Sequence, residues 1–207
     1  MAPMWMEWND PVPDSADPNK DSKMDSNLSS RIDSLLPISN ETGAVTEAAF
    51  KTYLNAFLQM VSRKSLPLTL ISVATDKTPL LDFLGSEAVP LISKAIARCI
   101  HQETRDYDIL GHHKSDHSSI HFLVACPLAS EEETAQLAQR FRDTMTTLSQ
   151  TGEHVLFGLS IGIASHSLDA STAEELIARA MDCSRRAMKQ GGNSIWKYSD
   201  TIQKMQE

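Results

Sequence analysis

At 207 residues the chain is long enough for one substantial core and too short for two ordinary domains with a linker. A formal charge of −8 and an isoelectric point near 5.3 exclude the basic footprint that nucleic acid or anionic lipid requires. No apolar run approaches the roughly 20 residues of a membrane span. The opening stretch, MAPMWMEWNDPVPDSADPNK, lacks the basic start and apolar centre of a signal peptide. Cys99, Cys126 and Cys183 are an odd set without metal-type spacing, which fits a reducing compartment, so a cytoplasmic location is expected.

Residues 1–40 stand apart. They hold most of the prolines and many Asp, Ser and Asn with few apolar side chains to bury, and they read as a disordered, acidic, Pro-rich tail. Within it Met4, Trp5, Met6 and Trp8 form an apolar cluster. Trp5 and Trp8 are the candidate contacts for a protein partner, because buried Trp carries large binding energy. The bland alternative is an N-terminus that touches nothing or folds back on its own domain.

From Thr42 the pattern becomes regular. Ala48, Phe50, Tyr53, Leu54, Phe57, Leu58 and Val61 recur at helical spacing and predict an amphipathic helix over about 46–63. After Pro67, the run LTLISVA over 68–74 predicts a short buried strand. A second helix is expected over 89–101, with Leu91, Ile92, Ala95, Ile96 and Cys99 inward. Residues 107–113 and 120–126 read as two strands joined by the polar stretch KSDHSS, hence a hairpin. Ser130 is the expected N-cap of a third helix over 131–148, whose opening acids suit its positive end. A buried strand over 155–164 and a fourth helix over 173–190 follow, the latter stopped by Gly191 and Gly192. SIWKY, 194–198, is the last strand, and 201–207 a short tail. Helices alternating with strands of one sheet predict an α/β sandwich over 41–200.

His112, His113, His117 and His121, with Asp116 among them, fall within ten residues. On a helix His113, His117 and His121 would share one face and hold zinc. In the hairpin that the pattern predicts, strands on either side of the turn could still bring two imidazoles together, but solvent-exposed polar groups are the expectation and no metal site is assigned.

Three stretches share an order and spacing. Thr42 and Gly43 are followed after six residues by Phe50; Ser160, Ile161, Gly162, Ile163 and Ala164 form one strand; Ala180, Ala187, Gly191 and Asn193 lie on and after the last helix. Together with Phe122 and Pro127 they resemble the GGDEF (diguanylate cyclase) family across about 42–200. They match its opening T-G and Phe, its S-I-G-I-A strand, its closing A-D-x-A-L-Y-x-A-K-x-x-G-R-N, the Phe that ends its signature and the Pro after the next strand. The resemblance implies a nucleotidyl-cyclase-like central mixed sheet flanked by helices.

Cyclases of this family couple two GTP molecules by attack of a ribose hydroxyl on an α-phosphate, which needs divalent cations held by carboxylates. By the resemblance, Ser72 and Ala74 stand at the family's D-x-D, and neither is a charged ligand. A one- or two-residue slip could bring Asp76 near, but a single-residue slip turns a strand side chain to the other face, and Asp76 reads more simply as a loop residue. Through Phe122 the signature reads Ser118, Ser119, Ile120, His121, Phe122; from Asp108 it reads Lys114, Ser115, Asp116, His117, Ser118. Either way the two glycines that let the backbone approach a nucleotide are gone. Met188 stands at the phosphate-binding Lys and Gly192 at the Arg of G-R-N, while Lys189 is turned about 100° away.

The expectation is a non-enzyme without catalytic residues or cofactor: a degenerate GGDEF-like signalling or scaffolding module that binds a protein partner. Arg105 and Asp108 match the family's R-x-x-D inhibitory motif, which binds cyclic di-GMP, so a cyclic di-GMP receptor is the alternative. Arg forks onto a phosphate or a guanine edge, and Asp accepts from guanine N–H groups. A solvated surface pair or local salt bridge is the bland reading of the same two residues. An active cyclase with rearranged ligands is the third.

Overall fold

Caps and apolar period decide where the helices begin and which face they bury. Thr46 opens α1 (Glu47–Ser62), its hydroxyl accepting from the Ala49 N–H. Phe50, Leu54, Leu58 and Val61 form the buried stripe of that helix. Strand β1 (Leu68–Thr75) is buried at every position. Helix α2 (Ala88–Glu103) buries Ile92, Ile96, Cys99 and Ile100. Leu91, expected inward, is 72% exposed, because a stripe through 92, 96 and 99 turns the neighbouring position about 100° away.

Strands β2 (Ile109–His113) and β3 (His121–Pro127) follow. Ser130 then opens α3 (Glu131–Gln150) with a reciprocal cap: its hydroxyl accepts from the Glu133 N–H, and the Glu133 carboxylate accepts from the Ser130 N–H. After β4 (Leu159–Ser165), Thr172 caps α4 (Ala173–Lys189). Gly191 and Gly192 end α4 at φ of 114° and 76°, a region closed to most side chains, and β5 (Ile195–Lys197) completes the set.

This computed structural model describes residues 37–76, 88–113, 120–150, 158–166 and 171–201. Trp5 and Trp8 in the expected tail, the turn over 114–119 with Asp116 and His117, the first residues of the strand expected from 155, and 202–207 lie outside the described residues.

The described residues form a five-stranded sheet in the order β2-β3-β1-β4-β5. Pairing is antiparallel except between β4 and β5, which are parallel, so the sheet is mixed as expected. Alternation along β1 sends Ile71 and Val73 into a core shared with α2 and α3, and Leu68 and Leu70 into one shared with α1 and α4. The result is a helix–sheet–helix sandwich.

Strand β2 ends the sheet on one side, and the segment leading into α1 covers it. The Val45 N–H donates to the Leu110 carbonyl at 2.8 Å, and the His112 N–H donates to the Val45 carbonyl at 2.9 Å. Thr42 and Gly43 pin this segment down. The Thr42 hydroxyl lies 3.0 Å from His112 Nε2, and the His101 ring donates to the Thr42 carbonyl at 2.9 Å.

Candidate functional site

Strand register assembles the site. His113, His121, Ala74 and Ser160 lie opposite one another on four adjacent strands, all facing α1 and α4. Asp76 is two residues beyond Ala74 and shares its face. Its N–H donates to the Gly158 carbonyl at 3.0 Å, which extends the β1–β4 ladder past the strand. Its carboxylate accepts from the Ser160 hydroxyl and, at 2.7 Å, from the Asn193 N–H. A Cβ at Gly158 or Gly192 would press on that carboxylate, so both glycines are required by its close approach.

Asp76 lies just past the end of β1, a loop residue as expected, but on the face of Ala74. A step of two along a strand keeps the face, whereas a step of one reverses it. Ser72 is fully buried, and its hydroxyl lies 2.9 Å from that of Ser184, tying β1 to α4. Ala74 is also fully buried, Met188 is partly buried, and Lys189 is exposed.

The histidines divide between the two faces. His112 lies on the α2/α3 side with its ring centroid 4.6 Å from that of Phe122. His113 and His121 lie on the α1/α4 side, with a Glu47 carboxylate oxygen 3.4 Å from His113 Nδ1. His121 is 6% exposed, which corrects the expectation of solvent-exposed hairpin groups; the strand assignment also removes the helical zinc face. Burial first, then the neighbouring His113 and Arg185, push the His121 imidazole down to about 4.

A histidine whose folded pKa lies below its unfolded value of about 6.5 binds its proton more readily when unfolded. Its contribution is fully present above about pH 6.5 and is lost as pH falls towards about 4. Urea unfolding from about pH 7 down to about pH 4 should therefore lose on the order of 3 kcal/mol that a His121→Gln variant does not lose. An identical slope in the two proteins would contradict the buried placement of this ring.

Arg105 and Asp108 share the turn between α2 and β2. The Asp108 N–H donates to the Arg105 carbonyl at 3.0 Å, and the Arg105 N–H donates to Asp108 Oδ2 at 2.9 Å. The other oxygen, Asp108 Oδ1, is buried without a hydrogen-bond partner among the described residues. Burial raises the carboxyl pKa, while the backbone bond and the charge of Arg105 act against that. The exposed Arg105 guanidinium donates to the Tyr107 hydroxyl at 3.0 Å and lies 5.8 Å from that ring centroid. The two residues are joined by these backbone N–H contacts within one turn. Sequence reasoning did not single out Tyr107, Ser184 or Ser160 as partners in these contacts.

A mixed five-stranded sheet flanked by helices on both faces makes this an α+β domain. The chain belongs to the family described as diguanylate cyclase, GGDEF domain, which matches residues 41–194. The structure is similar to the GGDEF domain of TpbB (YfiN) from Pseudomonas aeruginosa, with 24% identity and a TM-score of 0.69, covering 82% of this chain and 99% of that one. It is also similar to the diguanylate cyclase SiaD of the same organism, solved with its activator SiaC, at 19% identity and TM-score 0.68 over 86% of this chain and 68% of that one. The GGDEF domain of DgcB from Caulobacter crescentus, solved with cyclic di-GMP, gives 12% identity and TM-score 0.65 over 78% of this chain and 93% of that one. At these identities the likeness is one of fold. No curated protein sequence matches the chain.

The family match corrects the expectation of a non-enzyme. The matched family is that of the diguanylate cyclases, and the departures at Ser72, Ala74, Met188 and Gly192 do not by themselves establish inactivity. Among the described residues, no helix is long and apolar enough to cross a membrane.

Proposed function

We propose that this GGDEF domain works in cyclic di-GMP signalling and binds that dinucleotide through Arg105 and Asp108. The observation that carries the reading is the buried Asp108 Oδ1, without a hydrogen-bond partner among the described residues, beside an exposed guanidinium on the same turn. A buried acceptor left without a donor costs about 1–3 kcal/mol, which a guanine N–H would recover. The guanidinium supplies a forked donor for a phosphate or the guanine edge. Calorimetry with cyclic di-GMP tests it: saturable heat is expected, with affinity lower by at least about tenfold in Arg105→Ala. No heat, or equal binding by the variant, overturns the reading.

The placement of Asp76 favours a second reading, an active cyclase with rearranged ligands. A carboxylate has about four lone-pair sites, and two hydrogen bonds leave it able to hold a cation. Incubation with GTP and magnesium or manganese, followed by chromatography, should then yield cyclic di-GMP, and Asp76→Asn should abolish it. Absence of product from the parent protein removes this reading and leaves the first untouched.

A further inference from the structure

Tyr107 stands between Arg105 and Asp108 on the turn that leads into β2, and it is 48% exposed. The side chain is tied in place: the Arg105 guanidinium donates to its hydroxyl at 3.0 Å. The guanidinium carbon is 5.8 Å from the ring centroid, so it sits by the hydroxyl end and leaves a ring face open. A single exposed aromatic needs no explanation by itself. This one shares its turn with a fixed guanidinium and with Asp108 Oδ1, which is buried without a hydrogen-bond partner among the described residues. Charge narrows what such a turn can hold. Asp106 and Asp108 lie on it beside Arg105, and Glu133 from the first turn of α3 is within electrostatic reach of the same guanidinium. Carboxylates in excess of the guanidinium oppose a phosphate, so a phosphate contact is a poor source of affinity here. The ring face and the Asp108 acceptor suit a base instead.

We infer that Tyr107 is the stacking platform for a guanine of the cyclic dinucleotide, and that its ring rather than a phosphate contact supplies most of the affinity. The inference rests on the reading of this turn as a cyclic di-GMP site. Every base has a π-face, so stacking alone does not choose between bases. The polar neighbours make the choice: Asp108 accepts from the guanine N–H groups, and Arg105 donates to the acceptor atoms O6 and N7. The hydroxyl of Tyr107 holds the guanidinium on the same turn as the ring, so the donor, the acceptor and the stacking face are presented together before any ligand arrives.

The test is calorimetry of the full chain with cyclic di-GMP. Tyr107→Ala should weaken binding by at least about fivefold, the lower end of what one stacked base contributes. Tyr107→Phe keeps the ring and should keep the parent affinity. Tyr53→Ala removes another exposed aromatic, on α1, and should leave binding unchanged. Raising salt from about 50 to about 200 mM should change the affinity little, whereas a complex held by its phosphates weakens steeply. Equal affinity in the parent and Tyr107→Ala, with Arg105→Ala still weakened, overturns the inference and leaves the dinucleotide reading standing. A Phe variant as weak as the Ala variant, or a steep loss of affinity with salt, overturns it as well. No heat from the parent protein removes both.

Discussion

Gly162→Val is expected to unfold the protein or to cost it more than about 3 kcal/mol, at the severe end of overpacking. A Cβ on Gly162 would run into the Ala180 carbonyl and the Ser184 N–H of α4, and would lie 2.8 Å from Cys183 Cβ. The first two obstacles are helix backbone, which no rotamer change moves aside. The sheet would have to part from α4, which shares with it the buried Leu176, Ile177 and Ala180. That separation also breaks the Ser72–Ser184 contact. Urea unfolding measures the effect as a lower midpoint at unchanged slope, or as loss of the transition altogether. A stability within about 0.5 kcal/mol of the parent would mean that α4 does not seat on β4 as described.

The second large effect lies across the same face. Phe50 is 1% exposed, and a Cβ added at Gly111 would lie 2.6 Å from its Cγ and 2.9 Å from its Cβ. Phe50→Ala should cost about 3–5 kcal/mol through lost burial and a void. Gly111→Ala should cost about 1–3 kcal/mol, because the new methyl meets a ring that has nowhere to go. The double variant should be less destabilised than the sum of the two, by about 0.5–3 kcal/mol, since the methyl enters the space the ring vacates. A double-variant cycle by chemical denaturation reads this directly. Strict additivity would show that the ring does not rest on β2.

Much of the fold was legible because its signals are local. The stripe Phe50, Leu54, Leu58, Val61 reports one face of one helix, Ser130 and Glu133 cap each other three residues apart, and Gly191 with Gly192 mark a stop. The site was less legible because its partners are remote. Asp76 meets Ser160 and Asn193 across 84 and 117 residues of sequence, and only the register of β1 against β4 shows that it stays on the face of Ala74. A slip that brings Asp76 near is conceivable from sequence, but the contacts that hold its carboxylate are not, and the expectation of a non-enzyme rested on the missing carboxylates, glycines and lysine together. The burial of His121 was hidden for the same reason. Its neighbours Ala74 and Arg185 come from a distant strand and helix, and the polar stretch before Ile120 suggested a solvated hairpin.

The strip of chain around Val45 has a practical bearing beyond the fold. It occupies the outer rim of the sheet, where the Leu110 carbonyl and the His112 N–H would otherwise stand open. A fragment trimmed to begin at Thr46 would retain its helices, lose Ala44 and Val45 from the two cores, and present a bare strand with Gly111 at its middle. Such a rim recruits whatever extended peptide it meets, beginning with another molecule of the same fragment. The few residues ahead of the first helix therefore guard the domain against self-adhesion.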